Sequence, residues 1–332
     1  MAVTMHDVAR LAEVSIKTVS NVLNDYPHVR PATRDRVLQA VDELGYRLNT
    51  SARNLRRGRT GLISLAVSEL ALPYFAELAD EIIDAAESQH MRVLIERTGA
   101  DPQREREVLR DGFRMGDGLL FSPLGLTQDD EAELPSDLPL VPLGERIFSE
   151  RFDHVTMQNV EAARAATTFL LERGRRRVAI LGVHPGEVVG SAALRLQGYL
   201  AAHEDAGLPA DPRLQARAEL WHRDSGARAM AEILEAGGQP DAVLALNDAL
   251  ALGALHELQR RGVTVPDDVA VVGWDDIEEG QYSSPTLTTV DAGRRSIART
   301  AVERLVARIA EPDRVPELLE MPYRIIERGS TS

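Results

Sequence analysis

Apolar positions in the first 45 residues recur at helical spacing in three short bursts. Val8, Ala9, Leu11 and Ala12 follow Thr4, and Asp7 three residues on completes an N-terminal capping pattern. Ser15 is a second capping residue, and behind it Val19, Val22 and Leu23 fall at i, i+3 and i+4 on one inward face. A third helix is predicted from Pro31 to Leu44, with Val37, Leu38, Val41 and Leu44 as its apolar stripe and Gly45 as its stop. Two short helices joined by a tight turn and covered by a third make a helix-turn-helix, whose second helix presents its first residues to base edges. A plain three-helix bundle with a solvated polar face shows the same pattern.

After Gly61 the period changes. Short β-rich runs, Leu62–Val67, Arg92–Glu96, Gly118–Ser122 and Leu140–Gly144, alternate with helical stretches. A second set follows: Val178–Gly182, Ala242–Leu246 and Val269–Trp274. Strands alternating with helices of this length predict parallel sheets with crossover helices, and two such sets predict two doubly wound subdomains. Ligands of such sheets bind where the strand C-termini face a crevice.

Charge sharpens the division. Through Thr60 the chain has ten Lys/Arg against six Asp/Glu; the remainder has 28 against 46, within a net charge of −14. A basic head on an acidic body is what a nucleic-acid-binding module joined to a second function shows. Lys17 is the only lysine of the 332 residues, and it stands beside Ile16, Thr18 and Asn21 at the entrance of the second helix. Lysine donates to guanine acceptors, asparagine pairs with adenine, and isoleucine touches a thymine methyl.

The absence of cysteine excludes a disulfide scaffold. Met1 to Arg10 has no apolar leader core, and no apolar run approaches the roughly 20 residues of a membrane helix, so a cytoplasmic protein with no membrane partner is expected. With its one lysine in the head, the body has neither a phosphate-loop lysine nor a Schiff-base lysine. The eight histidines lack metal-ligand spacing, and no nucleophile elbow or dinucleotide turn occurs. An enzyme is therefore not expected, and neither is a cofactor.

The stretches Thr4–Asn24 and Val29–Ile63, dense and ordered over about 60 residues, resemble the head of the lactose/galactose repressor family of bacterial transcription regulators. The resemblance implies base-reading positions at Ile16, Lys17 and Asn21. It places Thr4, Ser15, Thr18, Ser20 and Asn24 among phosphate-contacting or framework positions. Asn49 to Arg59 alone is a basic linker, too short for a stable isolated helix. By resemblance it is a hinge helix that pairs with a partner's in the minor groove, with Leu55 as the inserted wedge, Ala52 at the close approach, and Asn49 and Arg53 beside them.

The body resembles the same family, whose core is similar to periplasmic sugar-binding proteins. The implied organisation is a DNA-binding domain at 1–48, a hinge at 49–60 and a ligand-binding and dimerisation core at 61–332. The core's N-subdomain would be about 61–158 and 291–318, its C-subdomain about 159–290 and 319–332. Candidate ligand residues follow strand ends: Tyr74 and Phe75, Arg146, Arg195 with Gly198 three residues on, Trp221, Asn247 and Asp275. Arginine, asparagine and aspartate match hydroxyl groups, and aromatics cover apolar ring faces. Asn247-Asp248 equally suits a helix cap, Tyr74 and Phe75 a core, Asp275 a turn, and Arg195 a surface ion pair. Gln158-Asn159 and Glu145-Arg146 depart from the family's commonest residues, which bears on the effector. The expectation is a repressor that binds a palindromic DNA operator as a homodimer and responds to a small molecule. A carbohydrate is the expected effector, although a nucleoside suits some of the same groups. With no leucine heptad after a last strand read at Glu320–Glu327, no tetramer is expected.

Overall fold

The structure, a computed structural model, describes residues 3–23, 26–46, 59–111, 116–135 and 138–332. It divides into two compact units, Met1–Thr60 and Gly61–Ser332.

The first unit has helices α1 (Met5–Leu11), α2 (Ile16–Leu23) and α3 (Pro31–Leu44). At the start of α1, the Thr4 amide and hydroxyl both donate to the Asp7 carboxylate, at 3.0 and 2.7 Å. The tight turn into α2 puts Glu13 in the left-handed region (φ 52°), and the Thr18 amide donates to Ser15 Oγ. Val8, Ala9, Ala12, Val19, Val22, Val37 and Ala40 form the core. Gly45 (φ 58°) ends α3 with the Tyr46 amide returning to the Val41 carbonyl, the left-handed stop that glycine favours. Leu38 is not part of the stripe: it is 43% exposed, and Ala40 takes the inward place.

The second unit begins with β1 (Leu62–Val67), α4 (Pro73–Ser88), β2 (Arg92–Arg97), α5 (Pro102–Asp111), β3 (Leu119–Phe121) and β4 (Leu140–Pro142). These strands form a parallel sheet ordered β2-β1-β3-β4. Beyond it, β5 (His154–Met157) pairs in parallel with β11 (Leu318–Met321) and touches Leu143 through a bridge to Val155.

The C-subdomain has α6 (Asn159–Glu172), β6 (Val178–Val183), α7 (Ser191–Asp205), β7 (Gln215–Arg217), α8 (Arg223–Glu235), β8 (Ala242–Ala245) and α9 (Asp248–Arg260). It continues with β9 (Ala270–Trp274), α10 (Glu278–Tyr282), β10 (Thr288–Asp291) and β12 (Arg324–Ile326). Its sheet runs β12-β10-β9-β8-β6-β7, parallel except for β12. Strands β6, β8 and β9 are buried throughout, as parallel strands covered on both faces must be. Helix α11 (Arg294–Ala310) lies between β10 and β11 in sequence and packs on α4 of the N-subdomain.

Helices α6 and α7 approach closely because Gly198 faces α6. A Cβ there would stand 2.2 Å from the Val160 carbonyl oxygen and 2.8 Å from Ala163 Cβ. Gly198→Ala is therefore expected to lower stability by about 1–3 kcal/mol through overpacking. A denaturant melt of the core checks this, and an unchanged midpoint would contradict it.

Candidate functional site

Two places gather the sequence candidates, one in each unit. On the first unit, Ile16 (38% exposed) and Lys17 are exposed at the start of α2, with Asn21 one turn on and half-buried. Ser15 and Thr18 hydrogen-bond to one another at 2.9 Å, so their hydroxyls serve the cap and frame the helix entrance. Ser20 is half-buried on the same helix. Thr4 is engaged with Asp7. Asn24, Asn49, Ala52, Arg53 and Leu55 lie outside the described residues.

In the second unit, the C-terminal ends of strands from both sheets surround a cleft of about 410 Å³. β1 ends beside Ser68 and Glu69, β4 beside Leu143–Arg146, β7 beside Glu219–His222, β8 beside Asn247 and β9 beside Asp275. Tyr74, Phe75, Arg146, Arg195, Trp221, Asn247 and Asp275 all line this one cavity.

Arg195, on α7, is 3% exposed and firmly held. Its Nε donates to Asn159 Oδ1 at 2.8 Å, NH1 to the Leu246 carbonyl, and NH2 to Met157 Sδ at 3.5 Å. Its guanidinium carbon is 4.0 Å from the centre of the buried Trp274 ring and 5.4 Å from that of Trp221. Burial lowers its pKa, and the carboxylates of Asp275 and Glu145 oppose that shift. Trp274 therefore backs the arginine and is fully buried, while half-buried Trp221 forms the wall, its Nε1 donating to the Gly182 carbonyl at 3.1 Å.

Asp275 has φ 108° and Asp276 φ 50°, a strained pair of non-glycine residues of the kind that concentrates at functional sites. Surrounding bonds fix them. The Asp275 amide donates to the Val290 carbonyl, its carbonyl accepts from Arg294 NH1, and Arg328 NH2 donates to Asp276 Oδ1. The strain turns the Asp275 carboxylate into the cleft, where it accepts no hydrogen bond from the described residues. Burial pushes its pKa up to about 7, against the pull of Arg195 and Arg294.

A pH dependence follows from that value. Between about pH 4 and 7 the native carboxyl keeps a proton that the unfolded chain has released, so this group makes stability fall as pH rises through that window. Asp275→Asn is expected to remove this part of the slope. Melts of both proteins from pH 4 to 8 measure the difference; parallel pH profiles would contradict it.

Asn247 and Asp248 divide their roles. Asn247 is the cap: its Oδ1 accepts from the Leu250 amide at 2.8 Å, and its Nδ2 donates to the Trp221 carbonyl at 3.0 Å. It thus positions the wall while lining the cleft. Asp248 is fully buried, bonded to the Ile277 amide and the Thr289 hydroxyl, with burial raising its pKa well above the carboxylate range. Phe75 is 6% exposed and packs edge-on against Tyr74, so Tyr74 is the more open of the two. Burial raises the Tyr74 pKa, and the nearby Asp275 and Glu145 add to that. Arg146 is committed to the Leu124 carbonyl and to Glu187 at 3.2 Å, so it bridges the two subdomains across the mouth.

Further residues line or support the cleft: Ser68, Glu69 and His222 were not among the sequence candidates, while Glu145 and Asn159 stand in the two pairs noted as departing from the family's commonest residues. Glu145, 4% exposed, accepts from the Thr156 and Ser191 hydroxyls of opposite subdomains. His222 Nε2 meets Glu69 at 2.7 Å, a second bridge across the mouth. Ser68 Oγ is buried without a protein partner among the described residues. Asn159 holds Arg195. A Ser-Glu pair after a β-run is the signal that marks Ser68 and Glu69.

No group of three or more His, Cys, Asp or Glu among the described residues could hold a metal ion, and no described helix is long and apolar enough to cross a membrane. A family model for bacterial regulatory proteins of the lacI family matches residues 4–49, and one for a periplasmic binding protein-like domain matches residues 167–331. The chain is 32% identical over 330 residues to the HTH-type transcriptional repressor PurR of Vibrio atlanticus (strain LGP32), covering 98% of each. A LacI-family regulator structure from Sanguibacter keddieii DSM 10542 is 51% identical, with a TM-score of 0.76 over 82% of this chain and 99% of that one. A complex of the transcriptional regulator CelR with cellobiose is 31% identical, with a TM-score of 0.73 over 99% of each. The chain belongs to the lacI family of bacterial regulatory proteins, and it is a DNA-binding transcriptional repressor rather than an enzyme.

Proposed function

We propose that the chain represses transcription as a homodimer on a palindromic operator, and that a sugar bound between Arg195, Asp275 and Trp221 sets its DNA affinity. The observation that carries this reading is the meeting, in one cleft, of the Arg195 guanidinium, the Asp275 carboxylate and a half-buried tryptophan wall. Sugar hydroxyls both donate and accept, so a carboxylate and a guanidinium on facing sides serve them together, while the apolar ring face rests on the indole. A nucleoside offers fewer hydroxyls to this pair. The CelR–cellobiose complex supports the sugar reading.

Ile16, Lys17 and Asn21 would read bases, with Ser15, Thr18, Ser20 and Asn24 fixing the backbone register. A two-fold protein matches two half-sites, which is the reason for the dimer. Leu55, Ala52, Asn49 and Arg53 would form the hinge, ordered or released as the cleft ligand moves the N-subdomains. Coupling of about 1–3 kcal/mol would change operator affinity roughly 5–150-fold.

Lys17→Ala is expected to lose about 1–3 kcal/mol of discrimination at one operator position. Anisotropy titrations against operators varied base by base test it; equal weakening on every sequence would place the lysine on phosphate alone. The effector test is a titration with mono- and disaccharides and nucleosides, followed by the fluorescence of Trp221 and Trp274. Saturation by one sugar supports the reading, and saturation only by a nucleoside overturns its sugar part.

A further inference from the structure

The C-subdomain has a second cavity, of about 250 Å³, at the N-terminal end of β6, the opposite end of that strand from the effector cleft. His203, near the end of α7, lines it and is 3% exposed. Neither ring nitrogen of His203 has a hydrogen-bond partner among the described residues. Tyr199 packs against the ring edge-on at 4.6 Å, but its hydroxyl is used by the Val178 carbonyl. Burial lowers the His203 pKa, and the Leu208 backbone, close to the ring but outside hydrogen-bond geometry, opposes that shift in part, so the ring is a neutral donor and acceptor at physiological pH. A buried polar group left unpaired costs about 1–3 kcal/mol, so such a ring inside a cavity calls for an occupant.

Arg176 and Arg177 line the same cavity. Arg176 spends NH1 on the Leu171 and Arg175 carbonyls, and Arg177 spends Nε on the Gln239 carbonyl, with its NH1 3.8 Å from Asp241 Oδ2; neither NH2 group has a partner among the described residues. The nearby acids are already engaged. Asp211, which also lines the cavity, accepts from the Arg213 amide and guanidinium, and Asp241 accepts from the Arg176 and Arg177 amides and pairs with Arg177 NH1. Leu208, Pro209 and Leu214 supply apolar walls. The volume holds several waters at roughly 30 Å³ each, or one single-ring molecule.

We propose that this cavity is a second ligand site, for a small hydroxylated organic acid whose oxyanion lies against Arg176 and Arg177 and whose hydroxyl meets the His203 imidazole. Such a ligand is distinct in charge from the neutral effector of the cleft.

The test uses the full chain labelled with ¹⁵N-histidine, with 4-hydroxybenzoate, benzoate and inorganic phosphate as probes. The His203 resonances are assigned as those lost in His203→Phe, or in His203→Gln should the phenylalanine variant not fold. The expected result is a saturable shift of the His203 ring nitrogens with 4-hydroxybenzoate. Benzoate, which lacks the hydroxyl, binds about 10-fold more weakly, and Arg176→Gln or Arg177→Gln weakens 4-hydroxybenzoate by a similar factor. Three results would overturn the proposal: no movement of these resonances with 4-hydroxybenzoate, meaning that only water fills the cavity; binding unchanged in both arginine variants; or phosphate binding as tightly, which would make it a simple anion site.

Discussion

Arg195→Ala is expected to weaken effector binding to the cleft by at least about 100-fold, a loss of roughly 3 kcal/mol. The guanidinium lines the cleft and is fixed there by Asn159, Leu246 and Met157 and by the Trp274 ring behind it. Charge-assisted hydrogen bonds from a preorganised fork are about twice as strong as neutral ones. Removing it also leaves the buried Asn159 amide oxygen and the Leu246 carbonyl without this donor, which lowers stability. Arg195→Lys should fail nearly as badly, because an ammonium cannot reach three acceptors in a plane. Titration of both variants by tryptophan fluorescence checks the claim. Affinity within a few-fold of the parent would remove Arg195 from the ligand's contacts.

Asp153→Ala should destabilise the core by about 3–5 kcal/mol, lowering its melting temperature by about 10 °C. Asp153 is fully buried beside β5. It accepts from Arg308 Nε and NH2 at 3.2 and 2.7 Å and from the Glu317 amide at 3.1 Å, with Arg304 and Arg314 within 4.0 Å. It thus ties the end of α11 and the segment entering β11 to the N-subdomain sheet. Alanine would strand the Arg308 charge, only 10% exposed, away from any carboxylate. Asp153→Asn keeps one acceptor and should fall between the two. Calorimetry decides it, and a loss below about 1 kcal/mol would show that the arginines can reach solvent.

The sequence pattern made some elements plain and hid others for physical reasons. β6 and β8 were legible because strands buried on both faces are unbroken apolar runs. β7, Gln215–Arg217, is an edge strand of three residues with two polar side chains, and no periodicity marks it. β5 was obscured by His154, a buried histidine whose Nε2 pairs with the Gly144 carbonyl at 2.6 Å. In the head, helix boundaries followed from caps, but Leu38 lay outside the core because Val37 and Ala40 already fill the space against α1 and α2.

The candidate site shows the same divide. Residues at strand ends were found by position, and Tyr74, Arg195, Trp221 and Asp275 do meet in one cavity. What the chain order conceals is who holds whom. Asn159 and Arg195 are 36 residues apart, Glu69 and His222 are 153 apart, and only the fold brings them together. The division of labour between Asn247 and Asp248 was equally hidden, since either can cap a helix. It was settled by Thr289 and the Ile277 amide, which bind Asp248 from other segments.

The central claim is that one cleft ligand changes the affinity of the head for DNA. It is tested most directly by anisotropy titration of the full chain on an operator selected from a palindromic library, with and without each sugar of the panel. One sugar is expected to shift the midpoint roughly 5–150-fold, and Arg195→Ala to bind the same operator without responding to it. A sugar that shifts the midpoint equally in the parent and in Arg195→Ala would contradict the account.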